Sequence, residues 1–202
     1  MSRRQSASLA ISNEGKQDVS TQPPVRGMDH IGIAVPNLDE ASHFLERAFD
    51  AKPMYDNIKR SEPPQTGPNA EAMLGISSGT KLVTMRMLQL GNGPGIELFE
   101  MHGSDQHKPA RPSDFGLQHF AVYVDDLAYA SERFQAAGGT LLEGPNEMLG
   151  LEKGPGNGWR YGRTPWGSIV ELMTSPSPED YERETPLRRW KPAPVDPAKG
   201  NE

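Results

Sequence analysis

The chain changes from an alternating pattern to a helical pattern within its first clear structural unit, residues 28–50. Large apolar residues alternate with small residues and one histidine over residues 28–35, which predicts a strand. One face carries Ile31, Ile33 and Val35, and the other carries His30, Gly32 and Ala34. From Asp39, a suitable N-cap, apolar residues recur at helical spacing to about residue 50. These patterns predict a strand followed directly by an amphipathic helix.

The same pattern occurs a second time from Gly116. Superposing the two copies places His30 on His119 and continues through a second helix at about 126–137, which a glycine pair ends. An internal repeat is stronger evidence for a fold than any single motif. The repeat therefore predicts two halves of the same construction.

Three more strands are predicted after each helix. They lie at about 52–58, 81–90 and 96–101 in the first half, and at 140–143, 158–164 and 167–173 in the second. Each half is thus a βαβββ module, and the chain is predicted to be an α+β protein. Neither four-stranded sheet can bury its helix and its inner face alone, so we expect the modules to pack together. The long segment 59–80 is predicted to be a loop, either a functional lid or disordered.

Composition divides the remainder of the chain into arms and a linker. The predicted segments are a disordered N-terminal arm (1–26), module 1 (27–104), a linker (105–113), module 2 (114–175) and a Pro-rich C-terminal arm (176–202). We expect the C-terminal arm to be extended because proline recurs throughout it. Its Leu187 and Trp190 could dock on a surface of this chain or of a partner subunit.

Charge and cysteine content narrow the possible functions. A net charge of −6 argues against a nucleic-acid partner, since phosphate binding needs clustered Lys and Arg. The absence of cysteine excludes disulfides, thiolate metal sites and thiol nucleophiles. No apolar run approaches the ~20 residues that span a bilayer, and none at the N-terminus suits a signal peptide. We therefore expect a soluble, cytoplasmic protein without a membrane partner.

Each half also carries a glutamate in its last strand. Glu97 and Glu171 both lie between large apolar residues, so each side chain points to the face opposite its neighbours. A charge in the middle of an otherwise apolar strand needs a partner or a metal ion. A single strand histidine is usually a core residue. The symmetric set of His30, Glu97, His119 and Glu171, however, favours metal binding.

These residues and their surroundings resemble the vicinal oxygen chelate superfamily, which includes glyoxalases, bleomycin-resistance proteins and ring-cleaving dioxygenases. The matching motifs are Asp-His-Ile-Gly-Ile-Ala-Val, Ile-Glu-Leu, Gln-His-Phe-Ala-Val-Tyr-Val and Ser-Ile-Val-Glu-Leu, which contain His30, Glu97, His119 and Glu171. The resemblance covers residues 27–174. It implies a curved, eight-stranded mixed sheet around one divalent metal ion, which would be Ni, Co, Mn, Fe or Zn.

A His, Glu, His, Glu set resembles the glyoxalase I and epimerase members, which implies a metal-dependent lyase or isomerase. Such an enzyme binds a small substrate through adjacent oxygens and moves a proton through an enolate, with Glu171 or Glu97 as the base. Two alternatives stay open: an Fe(II) ring-cleaving dioxygenase, and a protein that binds a small molecule without turnover. A homodimer is expected from the family. The candidate substrate contacts are Arg86, Tyr123, Trp159, Arg160 and Arg163.

Overall fold

The computed structural model describes residue 25 and residues 27–193, so the predicted N-terminal arm lies almost wholly outside the described residues. The first half contains β1 (His30–Val35), α1 (Leu38–Phe49), β2 (Lys52–Ile58), α2 (Pro68–Leu74), β3 (Lys81–Gln89) and β4 (Gly95–His102). The second half contains β5 (Phe120–Tyr123), α3 (Leu127–Ala136), β6 (Thr140–Leu141), β7 (Asn146–Glu147), β8 (Gly158–Arg163) and β9 (Ile169–Thr174).

The strands form two sheets that repeat one topology. The first has the order β1-β4-β3-β2 and the second β5-β9-β8-β6, with β7 also paired to β8. In each sheet the first strand of the half lies parallel to the last strand, and the other neighbours are antiparallel. The predicted α+β class is confirmed.

The predicted single eight-stranded sheet differs from the arrangement found. Strands β1 and β5 are edge strands of separate sheets, and no strand pairing joins them in the described part of the chain. The predicted strand at 140–143 is shorter in the structure, where β6 covers only Thr140–Leu141, and a further short strand, β7, follows at Asn146–Glu147. The second sheet consequently has five strands rather than four.

The two halves share one hydrophobic core on the helix side of both sheets. This core contains the apolar residues of α1 and α3 together with the inward residues of β1, β4, β5 and β9. Phe44 of α1 meets Phe134 of α3 edge to face, with ring centroids 5.2 Å apart, and both rings are fully buried. Arg47 Nη2 also donates to the carbonyl oxygen of Ala137, at 2.6 Å. The packing of α1 on α3 therefore fixes how the halves are joined.

Helix α1 begins slightly before the predicted position. Its N-cap is Asn37 rather than Asp39, because Asn37 Oδ1 accepts from the backbone N–H groups of Asp39 and Glu40 at 3.1 Å. The helix ends at Asp50, which has φ of 58°. The strand before it and the helix itself are otherwise where the pattern predicts them.

The predicted loop at 59–80 contains the short helix α2. Pro68 occupies a first-turn position, where its missing N–H costs nothing, and Gly75 ends the helix in the left-handed conformation. Among the described residues, neither this helix nor any other is long and apolar enough to cross a membrane.

Candidate metal and substrate site

His30 and Glu97 lie side by side on neighbouring parallel strands. The register pairs Gly32 with Glu97, so the side chains of His30 and Glu97 emerge on the same face. That face points away from α1, against which Ile33 and Val35 are buried. The distance from His30 Nε2 to Glu97 Oε2 is 3.2 Å. We call these two residues the first half-site.

His119 and Glu171 repeat this arrangement in the second sheet. His119 immediately precedes β5, and Glu171 in β9 is paired with Ala121. The distance from His119 Nε2 to Glu171 Oε2 is 2.8 Å. We call this pair the second half-site, and we call the face of each sheet that carries its half-site the ligand face.

Both imidazoles are oriented by the residue before them in the chain. Asp29 Oδ2 lies 2.7 Å from His30 Nδ1, and Gln118 Oε1 lies 2.6 Å from His119 Nδ1. An acceptor at Nδ1 favours the proton there and leaves the Nε2 lone pair directed at the glutamate. The hydrogen bond with Asp29 also raises the pKa of His30 above its ordinary value, against desolvation. Sequence reasoning missed Asp29 and Gln118, although both stand within the motifs quoted above.

The pairs have the chemistry of metal ligands. A lone pair on Nε2 and a carboxylate oxygen about 3 Å apart repel each other unless a proton or a cation lies between them. The carboxylates are largely buried, with side-chain exposures of 14% for Glu97 and 15% for Glu171. Among the described residues, no Lys or Arg forms an ion pair with either of them. Adjacent ligands of a metal with ~2.1 Å bonds are also roughly 3 Å apart, so each half-site fits two coordination positions.

The two half-sites do not meet within the described chain. No three residues among its His, Asp and Glu lie close enough together to hold one metal ion. One chain therefore presents two separate pairs of donors, whereas the prediction of one four-ligand site requires both pairs at a single ion.

Aromatic residues extend the ligand face of the second sheet. Tyr161 is paired with Glu171, and its ring centroid is 5.0 Å from that of His119. Trp159 lies 4.8 Å from Tyr161 by ring centroids and is paired with Met173. Tyr123 is also paired with Met173, from the other side. The predicted contacts Trp159 and Tyr123 thus share the face of the second half-site.

Tyr161 is a site residue that sequence reasoning missed. Burial raises the pKa of its hydroxyl, and the charge of Glu171 acts in the same direction. The signal was present in the sequence, because Tyr161 is two residues after Trp159 and therefore faces the same way.

The three candidate arginines occupy different faces. Arg163 is on the ligand face, paired with Ile169, and its Nη1 donates to the carbonyl oxygen of Gly167 at 3.0 Å. Arg160 is paired with Leu172 of the core and donates from Nε to the carbonyl oxygen of Leu142, at 3.0 Å. It therefore lies on the helix-covered face and not beside the half-site.

Arg86 also lies on the helix-covered face of its sheet. It is paired with Leu98, a core residue, whereas the neighbouring Met87 is paired with Glu97. Its guanidinium forms two hydrogen bonds with Asp56, at 2.7 and 3.0 Å, and one with Asp39. Strand alternation thus removes Arg86 and Arg160 from the predicted set of residues lining the ligand face.

Comparison with known proteins agrees with the fold. The family described as Glyoxalase/Bleomycin resistance protein/Dioxygenase superfamily matches residues 29–153. The chain therefore belongs to this superfamily. A curated relative, 2-epi-5-epi-valiolone epimerase from Actinomyces sp, is 30% identical over 171 residues, covering 84% of this chain and 91% of the relative.

Two solved structures share the fold at lower identity. A glyoxalase family protein from Bacillus cereus is 20% identical with a TM-score of 0.58, over 76% of this chain and 97% of its own. Glyoxalase I from Zea mays is 20% identical with a TM-score of 0.52, over 72% of this chain and 43% of its own.

Proposed function

We propose that this protein is a metal-dependent epimerase that acts on a small hydroxy-ketone of the valiolone type. The observation that carries the proposal is the duplicated His–Glu pair. Each imidazole is held by a neighbouring acceptor, with Nε2 directed at a largely buried carboxylate. The similarity to an epimerase over most of both chains supports the reaction class.

His30, Glu97, His119 and Glu171 would hold one divalent metal ion. When bound, such an ion acts as a Lewis acid on a substrate carbonyl and makes the adjacent C–H bond more acidic. Glu171 or Glu97 then accepts the proton from the carbon beside the carbonyl, which leaves an enolate. Return of a proton to the opposite face of that carbon inverts its configuration. Equivalent carboxylates in the two half-sites suit this reaction, because it needs proton transfer on both faces.

Aromatic residues of the second ligand face would surround the ring of the substrate. Tyr161 lies beside His119 and Glu171, and Trp159 lies beside Tyr161. Stacked rings of this kind offer apolar contact area with few rotatable bonds, and Tyr161 adds a hydroxyl that can bond a substrate oxygen. Exclusion of water by these rings would also protect the enolate from unwanted protonation.

A second copy of the chain would complete the four-ligand site. The shared core fixes the halves through Phe44 and Phe134, so bringing the two half-sites of one chain together would require that core to be disrupted. Bringing the first half-site of one chain to the second half-site of another requires no such change. A two-fold symmetric homodimer would then contain two complete sites.

Proton exchange at the substrate tests the proposed reaction. Wild-type protein with 2-epi-5-epi-valiolone in D₂O should form an epimer that carries deuterium at the inverted carbon, observed by NMR. Glu171→Gln should slow this reaction by about 10²-fold or more, as expected for loss of a general base. Glu132→Gln, on the exposed surface of α3, is the matched control and should react at the wild-type rate. Absence of both epimer and exchange in metal-replete wild type would contradict the proposal.

Elemental analysis separates the proposal from its alternatives. Wild type should contain Ni, Co, Mn or Zn, and His119→Ala should lose it. Iron as the sole metal, together with oxygen uptake on catechols, would indicate a dioxygenase instead. No metal in either protein after anaerobic reconstitution would indicate a binding protein without metal-dependent turnover.

A further inference from the structure

The C-terminal segment, residues 179–191, lies on the ligand face of the second sheet. The sulfur of Met173 is 3.8 Å from Arg189 Nη2, and the hydroxyl of Tyr123 donates to the carbonyl oxygen of Trp190 at 3.1 Å. Met173 and Tyr123 are paired with each other and share a face with Glu171 and His119. The segment therefore crosses the sheet on the side that carries the second half-site.

Several polar contacts hold this segment in place. Glu179 is fully buried and accepts from Ser175 Oγ at 3.1 Å, and its carboxylate lies 3.5 Å from Arg189 Nη1. The hydroxyl of Tyr181 accepts from the backbone N–H of Arg189 at 2.9 Å, and Lys191 Nζ donates to Ser175 Oγ at 2.7 Å. Residues on either side of Trp190 are thus both fixed, which positions its indole.

Trp190 lies about two strand residues away from Glu171 along the ligand face. Glu171 is paired with Ala121, two residues before Tyr123, and two residues of strand span about 7 Å. The segment crosses the row formed by Trp159, Met173 and Tyr123. In the described chain, neither Arg189 nor Trp190 forms a hydrogen bond or ring contact with the next row, which consists of Tyr161, Glu171 and Ala121. A ligand bound at Glu171 would therefore reach the C-terminal segment if it were about as long as one small ring.

Trp190 also reaches the other half of the chain. Its ring lies against Gly93, in the turn between β3 and β4, where an added Cβ would be 3.4 Å from the indole. That turn leads into Gly95, which is paired with His30. Even so, Trp190 keeps 56% of its surface exposed. A fixed aromatic side chain with this much free surface, beside the ring of Tyr123, is suited to stack on a ligand.

We propose that Trp190 is a substrate-contacting residue that bounds the ligand face of the second sheet and selects ligands of the size of a single ring. This inference rests on the proposed function, because it assigns the small cyclic hydroxy-ketone as the ligand. The apolar face of such a ring would pack on the indole, while its oxygens point towards the half-sites. The surface on which Trp190 was predicted to dock is thus the ligand face of the second sheet, and its proposed role is to contact substrate.

Steady-state kinetics of Trp190→Ala, Trp190→Phe and Leu187→Ala with 2-epi-5-epi-valiolone test this inference. Trp190→Ala should raise KM about tenfold and leave kcat within about twofold, since the lost contact is with bound substrate rather than with the reacting carbon. Trp190→Phe should recover most of the affinity. Leu187→Ala is the matched control, because Leu187 lies on the same segment, is 75% exposed and should not contact the ligand.

Metal content and Tm separate a substrate contact from a structural effect. Both should equal the wild-type values in Trp190→Ala, because Trp190 does not contact either half-site. If the KM of Trp190→Ala equals that of wild type, Trp190 does not have this role. The proposed function would still be supported by turnover of the wild-type protein. An elevated KM accompanied by lost metal or a lowered Tm would overturn it as well. No turnover by metal-replete wild type would overturn the proposed function, and with it this inference.

Discussion

At the scale of single residues, the half-sites depend on the side chains that hold the imidazoles. His30 and His119 are both surface-accessible and would sample several rotamers without a partner at Nδ1. Asp29 and Gln118 provide that partner from the preceding position in both copies. Partners of this kind fix the ring orientation and the tautomer, and they increase the basicity of the ligating nitrogen. The repeat thus duplicates the proposed ligands together with the side chains that orient them.

Removing these acceptors should weaken metal binding without removing a ligand. Asp29→Ala and Gln118→Ala should each lower metal affinity by about 10- to 100-fold, measured by titration against a competing chelator. Asp29→Asn should recover part of the loss at its site, because an amide oxygen still accepts from Nδ1–H. Wild-type affinity in both alanine variants would show that the imidazoles are held by other contacts.

Strand alternation predicted the ligand residues but not their supports. His30, Glu97 and Glu171 share faces because the period of a strand is two, and this can be read from the sequence. Asp29 and Gln118 lie outside the strands, where no periodicity fixes a side-chain direction. Arg86 and Arg160 were assigned because they are charged and lie on strands expected to line the site, but the pairing register places both on the helix side.

At the scale of elements, the N-terminus of α1 is bound to the sheet by Glu100 of β4. Glu100 Oε2 accepts from the backbone N–H of Leu38 at 2.8 Å, and both carboxylate oxygens accept from Arg60, at 2.8 and 2.7 Å. Arg60 is the chief cause that lowers the pKa of Glu100 to about 2, aided by the N–H of Leu38 and by His102. Glu100 is therefore a structural carboxylate, three residues from Glu97 but on the opposite face.

Glu100→Gln should lower the free energy of unfolding at neutral pH by about 2 kcal/mol, because a charged acceptor at a helix N-terminus is lost. The folded pKa is below the ordinary value of 4.5, so the stabilisation is present above 4.5 and declines as the pH falls towards 2. Urea titrations at several pH values should show the wild-type and variant curves converging over that range. Glu62→Gln, an exposed carboxylate in the neighbouring loop, should remain within about 0.5 kcal/mol of wild type at every pH. A difference between wild type and Glu100→Gln that does not change with pH would contradict this account.

The order of elements could be predicted closely, and the exceptions have local causes. Helix α2 was missed because it is only seven residues long and sits among Pro and Gly, which dominate the composition of the 59–80 segment. Strand β7 was missed because it consists of only two residues, Asn146 and Glu147, which are both polar and give no apolar periodicity. Where long periodic patterns exist, as in α1, β3 and β4, the predicted bounds agree with the structure to within one residue.

At the scale of the whole molecule, the core packs the two halves together, whereas their half-sites lie apart. The aromatic contacts of Phe44 with Phe134 and with Trp166, at 5.2 and 5.4 Å, bind the halves on the helix side. The ligand faces are on the other side of each sheet, and in the described chain they do not bring three donors together. Under the proposed function, assembly of a four-ligand site would depend on how ligand faces of different chains are apposed. The prediction from sequence concerned the four residues, whereas the separation of the two pairs depends on tertiary packing that alternation cannot specify.

Mixing two inactive variants tests whether the site is shared. His30→Ala lacks a ligand in the first half-site and His119→Ala in the second, so each homodimer should be inactive. A mixed dimer would combine the intact first half-site of one chain with the intact second half-site of the other. Its remaining site would lack both histidines. Random exchange of subunits should therefore restore about a quarter of wild-type epimerase activity and metal content.

Native mass spectrometry of the mixture, with one variant isotope-labelled, should show that mixed dimers have formed. Each variant taken alone through the same exchange procedure is the control and should remain inactive. If mixed dimers form but metal content and activity stay at the level of the separate variants, both pairs of ligands must come from one chain. The two halves would then have to move relative to each other when metal binds, at the expense of the packing between Phe44 and Phe134.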